Sequence, residues 1–156
     1  MINDVTNRNR IVVINDCRLQ RGEEHQIRAR YHNVEIANKP ERGHNAGGVA
    51  ILIPKGSFME THTDGNKEQL VVSITMQGIR INVATQYVHP GETIDERIVE
   101  KLDEVSGNDV GILIGDLNSS HTEYGGHSDS MGGRALKQAV DDNNLMYVPN
   151  HTPLPN

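Results

Sequence analysis

The sequence predicts an α/β or α+β fold in which helices pack on a mixed β-sheet. Two observations lead to this prediction. Short apolar runs with a strand-like pattern fill the first half of the 156-residue chain. After Pro90 the pattern changes, and segments with helical spacing alternate with short apolar runs. Such alternation is typical of sheets covered by helices, so residues 1–156 are expected to form a single domain.

The first half of the chain contains five segments with a strand pattern. Residues 12–14 are apolar, and residues 27–31 alternate apolar with polar side chains, as a half-exposed strand does. Residues 49–53 are apolar throughout and lie between a pair of glycines and a proline that ends the strand. Residues 70–76 and 79–83 flank a Gln-Gly pair, which predicts a β-hairpin with a two-residue turn.

The second half predicts two helices and two further strands. Residues 94–105 carry apolar side chains at helical spacing, after a Thr-x-x-Glu capping box and before Gly107 as the C-terminal cap. A short apolar strand is expected at residues 110–115 and a second helix at residues 135–142. Residues 145–148 are expected to form the last strand.

Charge and composition limit the classes of partner. The net charge is −6, which does not favour DNA as a partner although it leaves DNA possible, because nucleic-acid binding usually depends on Lys and Arg. The charge is divided unevenly, with +2 over residues 1–60 and −8 over residues 61–156. The acidic half has two readings, a solvated acidic face or carboxylates gathered around a cation. Since no apolar run approaches the length of a membrane span and no secretory signal is recognisable, we expect an intracellular protein, nuclear or cytoplasmic, without a membrane partner.

The most informative polar residues follow the apolar run 110–115. Asp116 and Asn118 lie at the end of that run, where α/β sheets commonly carry reacting groups. A carboxylate can orient a water molecule or hold a cation, and an amide can donate to a phosphate oxygen. The alternative reading is an Asx-turn that only ends the strand.

Two further candidates also stand at the ends of predicted strands. Tyr87 follows residues 79–83 and has a hydroxyl that could contact a phosphate, although a core tyrosine is an equally good reading. Asp16 follows residues 12–14 and could give an oxygen to Mg²⁺, which proteins usually bind through one or two carboxylates plus phosphates; its alternative is a surface turn.

Taken together, these motifs resemble the endonuclease/exonuclease/phosphatase superfamily, and most closely the endonuclease domain of non-LTR retrotransposons. The similarity extends from about residue 11 to residue 155 and rests on the order and spacing of its motifs. The matching runs are Ile14-Asn15-Asp16-Cys17-Arg18-Leu19, Gly47-Gly48-Val49-Ala50-Ile51-Leu52-Ile53, Tyr87-x-x-Pro90-Gly91, Gly115-Asp116-Leu117-Asn118 and Gly133-Arg134-Ala135-Leu136.

The resemblance implies a two-sheet α/β sandwich and metal-dependent hydrolysis that nicks DNA. By position, Asp116 would orient the attacking water, Asn118 would hold the scissile phosphate and Tyr87 would contact it. Asp16 stands where the family has a metal-binding Glu, so Asp16 and Asp116 would hold Mg²⁺ or Mn²⁺. Because Asp is one carbon shorter than Glu, the metal is expected to bind weakly.

The sequence departs from the family at both ends. Residues 1–9 contain no recognisable equivalent of the family's first strand, and the family's C-terminal strands, with a catalytic Ser-Asp-His run, have no counterpart up to residue 156. We therefore expect a truncated domain with impaired nicking. The alternative is a catalytically inactive descendant that serves as a binding or scaffold subunit. In either case, sheet edges left open by the missing strands predict a homo-oligomer or a partner protein.

Overall fold

The computed structural model describes residues 10–19, 22–30, 34–39, 47–62 and 68–148. Residues 1–9, Tyr31 at the end of one predicted strand and the C-terminal tail from residue 149 lie outside the described residues. Within the described part the elements, in chain order, are β1 (Val12–Asn15), α1 (Glu24–Arg30), β2 (Val34–Lys39), β3 (Val49–Pro54), β4 (Phe58–Thr61), β5 (Gln69–Met76), β6 (Ile79–Tyr87), α2 (Glu96–Ser106), β7 (Val110–Asp116), a short 3₁₀ helix (Thr122–Tyr124) and α3 (Met131–Asp142).

The strands form two sheets that face each other. The first has the order β1-β3-β2 and is antiparallel. The second has the order β4-β5-β6-β7 and is antiparallel except for the parallel pair β6 and β7. Apolar residues of both sheets meet in the middle, α1 packs on the outer side of the first sheet, and α2 and α3 pack on the outer side of the second. The fold is therefore a two-sheet α/β sandwich, which confirms the fold class expected from the sequence.

The most deeply buried strand is β3, at the centre of the first sheet. Val49, Ile51 and Ile53 face the second sheet, while Ala50 and Leu52 face the side covered by α1. Because both faces are covered, every position of the strand is apolar and there is no alternation of apolar with polar residues. Its position fixes the glycines that precede it at one end of the sandwich, where the candidate site lies.

Helix α2 begins later than the capping box predicted. Its N-cap is Asp95, whose carboxylate accepts a hydrogen bond from the Arg97 backbone N–H, and not Thr93. Ile94 is buried against the second sheet just before the helix, so the chain stays extended through Thr93 and the first turn starts after it. The predicted C-terminal cap is confirmed, since Gly107 has a positive φ of 53°. Among the helices of the described ranges, none combines the length and apolarity needed to cross a membrane.

Two predicted strands are wrong, and one predicted helix is longer than expected. Residues 27–30 belong to α1. A short alternation of Ile and Ala with Arg also suits a helix, because Ala and Arg both have a high helix propensity. Residues 145–148 form no strand; Leu145 packs below α3, whereas Met146 and Val148 are exposed. Helix α3 starts at residue 131, because the Ser130 side chain caps it by accepting from the Gly133 N–H.

Strand β7 forms as predicted, but it is an exposed edge strand. It pairs with β6 on one side, and the structure describes no strand on its other side. Val110, Ile112 and Ile114 lie on the face of the second sheet that is directed toward the first sheet, yet they are 61%, 39% and 45% exposed. Only Leu113, on the opposite face, packs against the helices. The apolar character of β7 therefore does not come from burial in the described part of the chain.

Candidate functional site

Several strand ends meet at one end of the sandwich and bring the candidate residues together. Tyr87 and Asp116, the last residues of β6 and β7, are direct neighbours in the parallel register. The Val88 N–H donates to the Asp116 carbonyl at 2.9 Å, which extends the pairing by one step. Gly115 permits this close approach, because a Cβ there would lie 2.5 Å from the Gln86 carbonyl oxygen. The sheet thus places Tyr87 and Asp116 side by side.

Asn118 forms a tight turn directly after β7. Its backbone N–H donates to Asp116 Oδ1 at 3.3 Å, and its own φ is positive at 43°. Its side-chain Nδ2 donates to the Val88 carbonyl at 2.8 Å and so ties the end of β7 to the segment after β6. The Asx-turn considered from the sequence is therefore present. Since an amide carries two N–H donors, one hydrogen bond to Val88 leaves Asn118 a second donor by valence.

Tyr87 is the residue around which the acidic groups of the site are arranged. It is buried, with 8% of its surface exposed, and its ring packs in the core between the sheets. Burial raises the pKa of its phenol, and the negative charges of Asp16, Asp116 and Glu68 raise this pKa further. A side-chain hydrogen bond with Asn118 acts on the pKa in the opposite direction. Three carboxylates are thus close enough to influence one phenol.

Asp16 follows β1 in a left-handed conformation, with a φ of 52°. Its carboxylate is held by the Arg18 guanidinium, with Nη2 3.0 Å from Oδ2, and by the Gly47 backbone N–H, which donates to Oδ1 at 2.6 Å. The hydrogen bond from Arg18, followed by that from Gly47, holds the pKa of Asp16 below its usual value. The residue is at the predicted place, but its oxygens already have partners.

A buried ion pair on the other side of Gly47 completes the site. The Glu68 side chain, just before β5, is fully buried, and His89 Nε2 lies 3.1 Å from its Oε2. The His89 ring contacts the Tyr87 ring edge-on, with ring centroids 5.0 Å apart. Gly47 makes room for the Glu68 carboxylate, because a Cβ at Gly47 would overlap it, and its φ of +121° also requires glycine.

The sequence did not single out Glu68 or His89 as a site residue. Glu68 closes a polar stretch and resembles a solvated residue, while its contact with His89 spans 21 positions in the chain. The available signal was local: His89 lies two residues after Tyr87, on the same side of an extended segment. This spacing indicates on which side of the segment His89 lies, but it does not indicate that Glu68 is its partner.

The side chains of the site suit the metal predicted at Asp16 and Asp116 in their chemistry. Their present arrangement suits it less well. The donors are hard carboxylate oxygens, which suit Mg²⁺ or Mn²⁺. In the ranges that the structure covers, however, no three His, Cys, Asp or Glu side chains are grouped closely enough to hold a metal ion together. A cation here would need ligands from water or phosphate, and Arg18 would have to release Asp16.

Comparisons with known proteins give a consistent answer about the fold. No family model and no curated protein matches the sequence. Among solved structures, the chain is similar to the endonuclease domain of TRAS1, a telomere-specific non-LTR retrotransposon, with a TM-score of 0.68 and 19% identity. The match covers 96% of this chain and 65% of that domain, so the chain spans somewhat less than two thirds of the length of this relative.

Two structures of NExo from Neisseria are similar as well. The 3′-5′ exonuclease NExo from Neisseria meningitidis matches with a TM-score of 0.53 and 17% identity, over 90% of this chain and 64% of that one. A structure of the 3′ phosphatase NExo bound to a product DNA hairpin gives a TM-score of 0.55 at 16% identity, with the same coverage. These neighbours comprise a retrotransposon endonuclease and a DNA-processing enzyme. The chain therefore has the fold of the endonuclease/exonuclease/phosphatase superfamily, as the motifs of its sequence indicated.

Proposed function

We propose that this chain is an endonuclease-like domain of retrotransposon type that nicks DNA by hydrolysing a phosphodiester bond. The observation that carries the proposal is the pairing of Tyr87 with Asp116 at the end of the second sheet, with Asn118 in the turn that follows. The similarity to the TRAS1 endonuclease domain supports it at the level of the fold.

The three side chains have distinct proposed roles. Asp116 is exposed at the strand end, where its carboxylate would orient the attacking water. Asn118, whose side chain also hydrogen-bonds with Tyr87, would turn its second amide N–H from the phenol to a non-bridging phosphate oxygen. Tyr87, with 8% of its surface exposed, would fix the position of the same phosphate through its hydroxyl.

We further propose that Mg²⁺ or Mn²⁺ binds weakly at Asp16 and Asp116. Three carboxylates near Tyr87 make this end of the sheet negative, so a phosphodiester anion would approach more easily if a cation were present. When bound, such a cation neutralises phosphate charge and lowers the pKa of a coordinated water. Arg18 competes for Asp16, and this competition is our reason for proposing weak binding and slow nicking.

Plasmid nicking tests the proposal. Supercoiled plasmid is incubated with the protein and Mg²⁺ or Mn²⁺, beside Asp116→Ala, a chelator control and Asp103→Ala, which removes an exposed carboxylate from α2. We expect slow conversion to the nicked form by the unaltered protein and by Asp103→Ala, and none with Asp116→Ala or chelator. Equal nicking by the unaltered protein and Asp116→Ala would reject the proposal.

A second candidate function is a non-catalytic subunit of a homo-oligomer. The observation that favours it is the edge of β7, which no other described strand covers, with its exposed residues Val110, Ile112 and Ile114. Two copies could pair their β7 strands about a two-fold axis and so cover the same face on each other. Light scattering that gives a dimer for the unaltered protein and a monomer for Ile112→Lys would support this function. A monomer in both cases would exclude it.

A further inference from the structure

The buried pair of Glu68 and His89 is outside the set of residues to which the proposed function assigns roles. The Glu68 carboxylate has no exposed surface, and glutamates are almost never fully buried unless they are paired. His89 Nε2 lies 3.1 Å from Glu68 Oε2, while the His89 side chain keeps 21% of its surface exposed. One end of the imidazole is therefore anchored in the interior, and the side chain also reaches the surface.

The exposed part of His89 belongs to the candidate site. Its ring meets the Tyr87 ring edge-on at a centroid distance of 5.0 Å. Its charge is one of the contributions that lower the pKa of Asp16, after the hydrogen bonds from Arg18 and Gly47. His89 therefore lies between the tyrosine and the carboxylate that sequence reasoning placed in the site.

The chemistry of the pair follows from its atoms. A carboxylate only accepts hydrogen bonds, so a proton on His89 Nε2 suits the Glu68 side of the ring. An imidazolium with part of its surface exposed is a suitable group for binding an anion.

Resting on the proposed function, we infer that His89 is a further substrate-contacting residue, which binds the phosphate of a phosphodiester, and that Glu68 is the residue that positions it. The pair supplies a carboxylate–imidazole unit from the ends of β5 and β6, within the described part of the chain. When His89 is protonated, it also adds positive charge at a sheet end that carries three carboxylates. Gly47 is part of the arrangement because its missing side chain leaves space for Glu68.

The first test needs neither catalysis nor substitution at the pair. The imidazole C2–H resonance of His89, assigned by its loss in His89→Gln, is followed by NMR while dimethyl phosphate or inorganic phosphate is added in the presence of chelator. We expect a saturable shift of this resonance. The resonance of His25, exposed on α1, serves as the internal control and should stay in place. A His89 resonance that does not move with either anion would overturn the inference.

Substitutions then separate positioning from folding. In Glu68→Gln we expect the affinity for dimethyl phosphate to fall about tenfold, because a charge-assisted contact is roughly twice as strong as a neutral one. Glu100→Gln, on the exposed side of α2, should bind as the unaltered protein does. Melting curves identify any variant that fails to fold, in which case the NMR titration of the unaltered protein decides. Unchanged affinity in a folded Glu68→Gln protein would reject the role of Glu68.

Failure of this inference can be told apart from failure of the proposed function. If Asp116→Ala abolishes nicking while His89→Gln nicks at the normal rate and the His89 resonance does not shift, only the role of His89 is wrong. If no variant nicks but dimethyl phosphate shifts the resonance, His89 binds phosphate and the hydrolytic function is wrong.

Discussion

Two carboxylate–cation pairs lie on opposite sides of Gly47, and they differ in almost every physical respect. Asp16 and Arg18 are two residues apart and largely open to solvent, with 32% and 62% of their side chains exposed. Glu68 and His89 come from different strand ends, and the glutamate is fully buried. An exposed pair is screened by water and contributes little to stability, whereas a buried pair is costly to break. The first pair is therefore suited to exchange partners and the second to hold a fixed geometry.

Gly47→Ala should have the largest effect, because it disturbs both pairs at once. The new Cβ would overlap the Glu68 carboxylate, and the alanine backbone would have to adopt a φ of +121°. Together, strain and overpacking should lower the free energy of unfolding by about 4 kcal/mol. Urea denaturation measures this loss of unfolding free energy. Gly56→Ala is the matched control, with a φ of +93° and open space around its Cβ, so it isolates the strain alone. Equal losses in the two variants would show that the overlap with Glu68 has no cost.

His89→Ala should come next, since it leaves the buried Glu68 carboxylate without its imidazole partner. Breaking a buried pair in this way typically costs about 3 kcal/mol of unfolding free energy. A double-mutant cycle with Glu68→Ala should give a coupling energy above about 1 kcal/mol. The same cycle with Asp16→Ala and Arg18→Ala should give a clearly smaller coupling energy, because that pair is exposed and screened by water. Coupling of similar size in both cycles would contradict the contrast between the pairs.

Arg18→Ala should change metal binding and leave stability almost unaltered. Removal of the guanidinium frees the Asp16 oxygens that it now occupies, so Mn²⁺ should bind several-fold more tightly. Isothermal titration calorimetry compares the variant with the unaltered protein, and Arg97→Ala, which removes an exposed arginine from α2, is the control. Weaker Mn²⁺ binding in Arg18→Ala would mean that Arg18 supports the cation site and does not compete with it.

The smallest expected effect is a change in the titration of Asp16. Its folded-state pKa lies below 3.8 because Arg18 and Gly47 donate to it, so its contribution to stability is present above that pH and is lost as the pH falls through the folded-state pKa. Arg18→Ala should move this pKa upward, as measured by carboxyl NMR. Asp129, whose pKa is lowered by hydrogen bonding to Thr122, should titrate unchanged in the same sample. A pKa of Asp16 that stays low would assign the shift to Gly47 alone.

The sequence allowed prediction of the site residues that belong to local patterns. Each of them lies at the end of a strand or just after it, and strand ends can be recognised from short apolar runs; they are Asp16, Tyr87, Asp116 and Asn118. The pairing of Glu68 with His89 was not predicted, because both residues lie beyond the ends of the predicted hairpin strands 70–76 and 79–83, and the strands pair further than those bounds. Gly47 was recognised only as part of a motif, since its reason for being glycine is a side chain distant in the sequence.

Burial was harder to predict than strand formation. Residues 49–53 and residues 110–114 differ at one position, Ala50 against Gly111, yet β3 is buried throughout and β7 is mostly exposed. The difference comes from their places in the sheets, one central and one at an edge. An apolar run therefore predicts a strand, and only the topology shows which of its faces is covered. The alternation at residues 27–31 was misleading for a related reason, because it covered too few residues to distinguish a strand from a helix.

The most direct test of the central claim is plasmid nicking by the unaltered protein, Asp116→Ala and His89→Gln, side by side with Mg²⁺ or Mn²⁺. The end of the second sheet, where Tyr87 and Asp116 pair, is proposed to be the hydrolytic site. We predict slow nicking by the unaltered protein, reduced nicking by His89→Gln and none by Asp116→Ala. Nicking at the same rate by the unaltered protein and Asp116→Ala, or no nicking by either, would contradict the account.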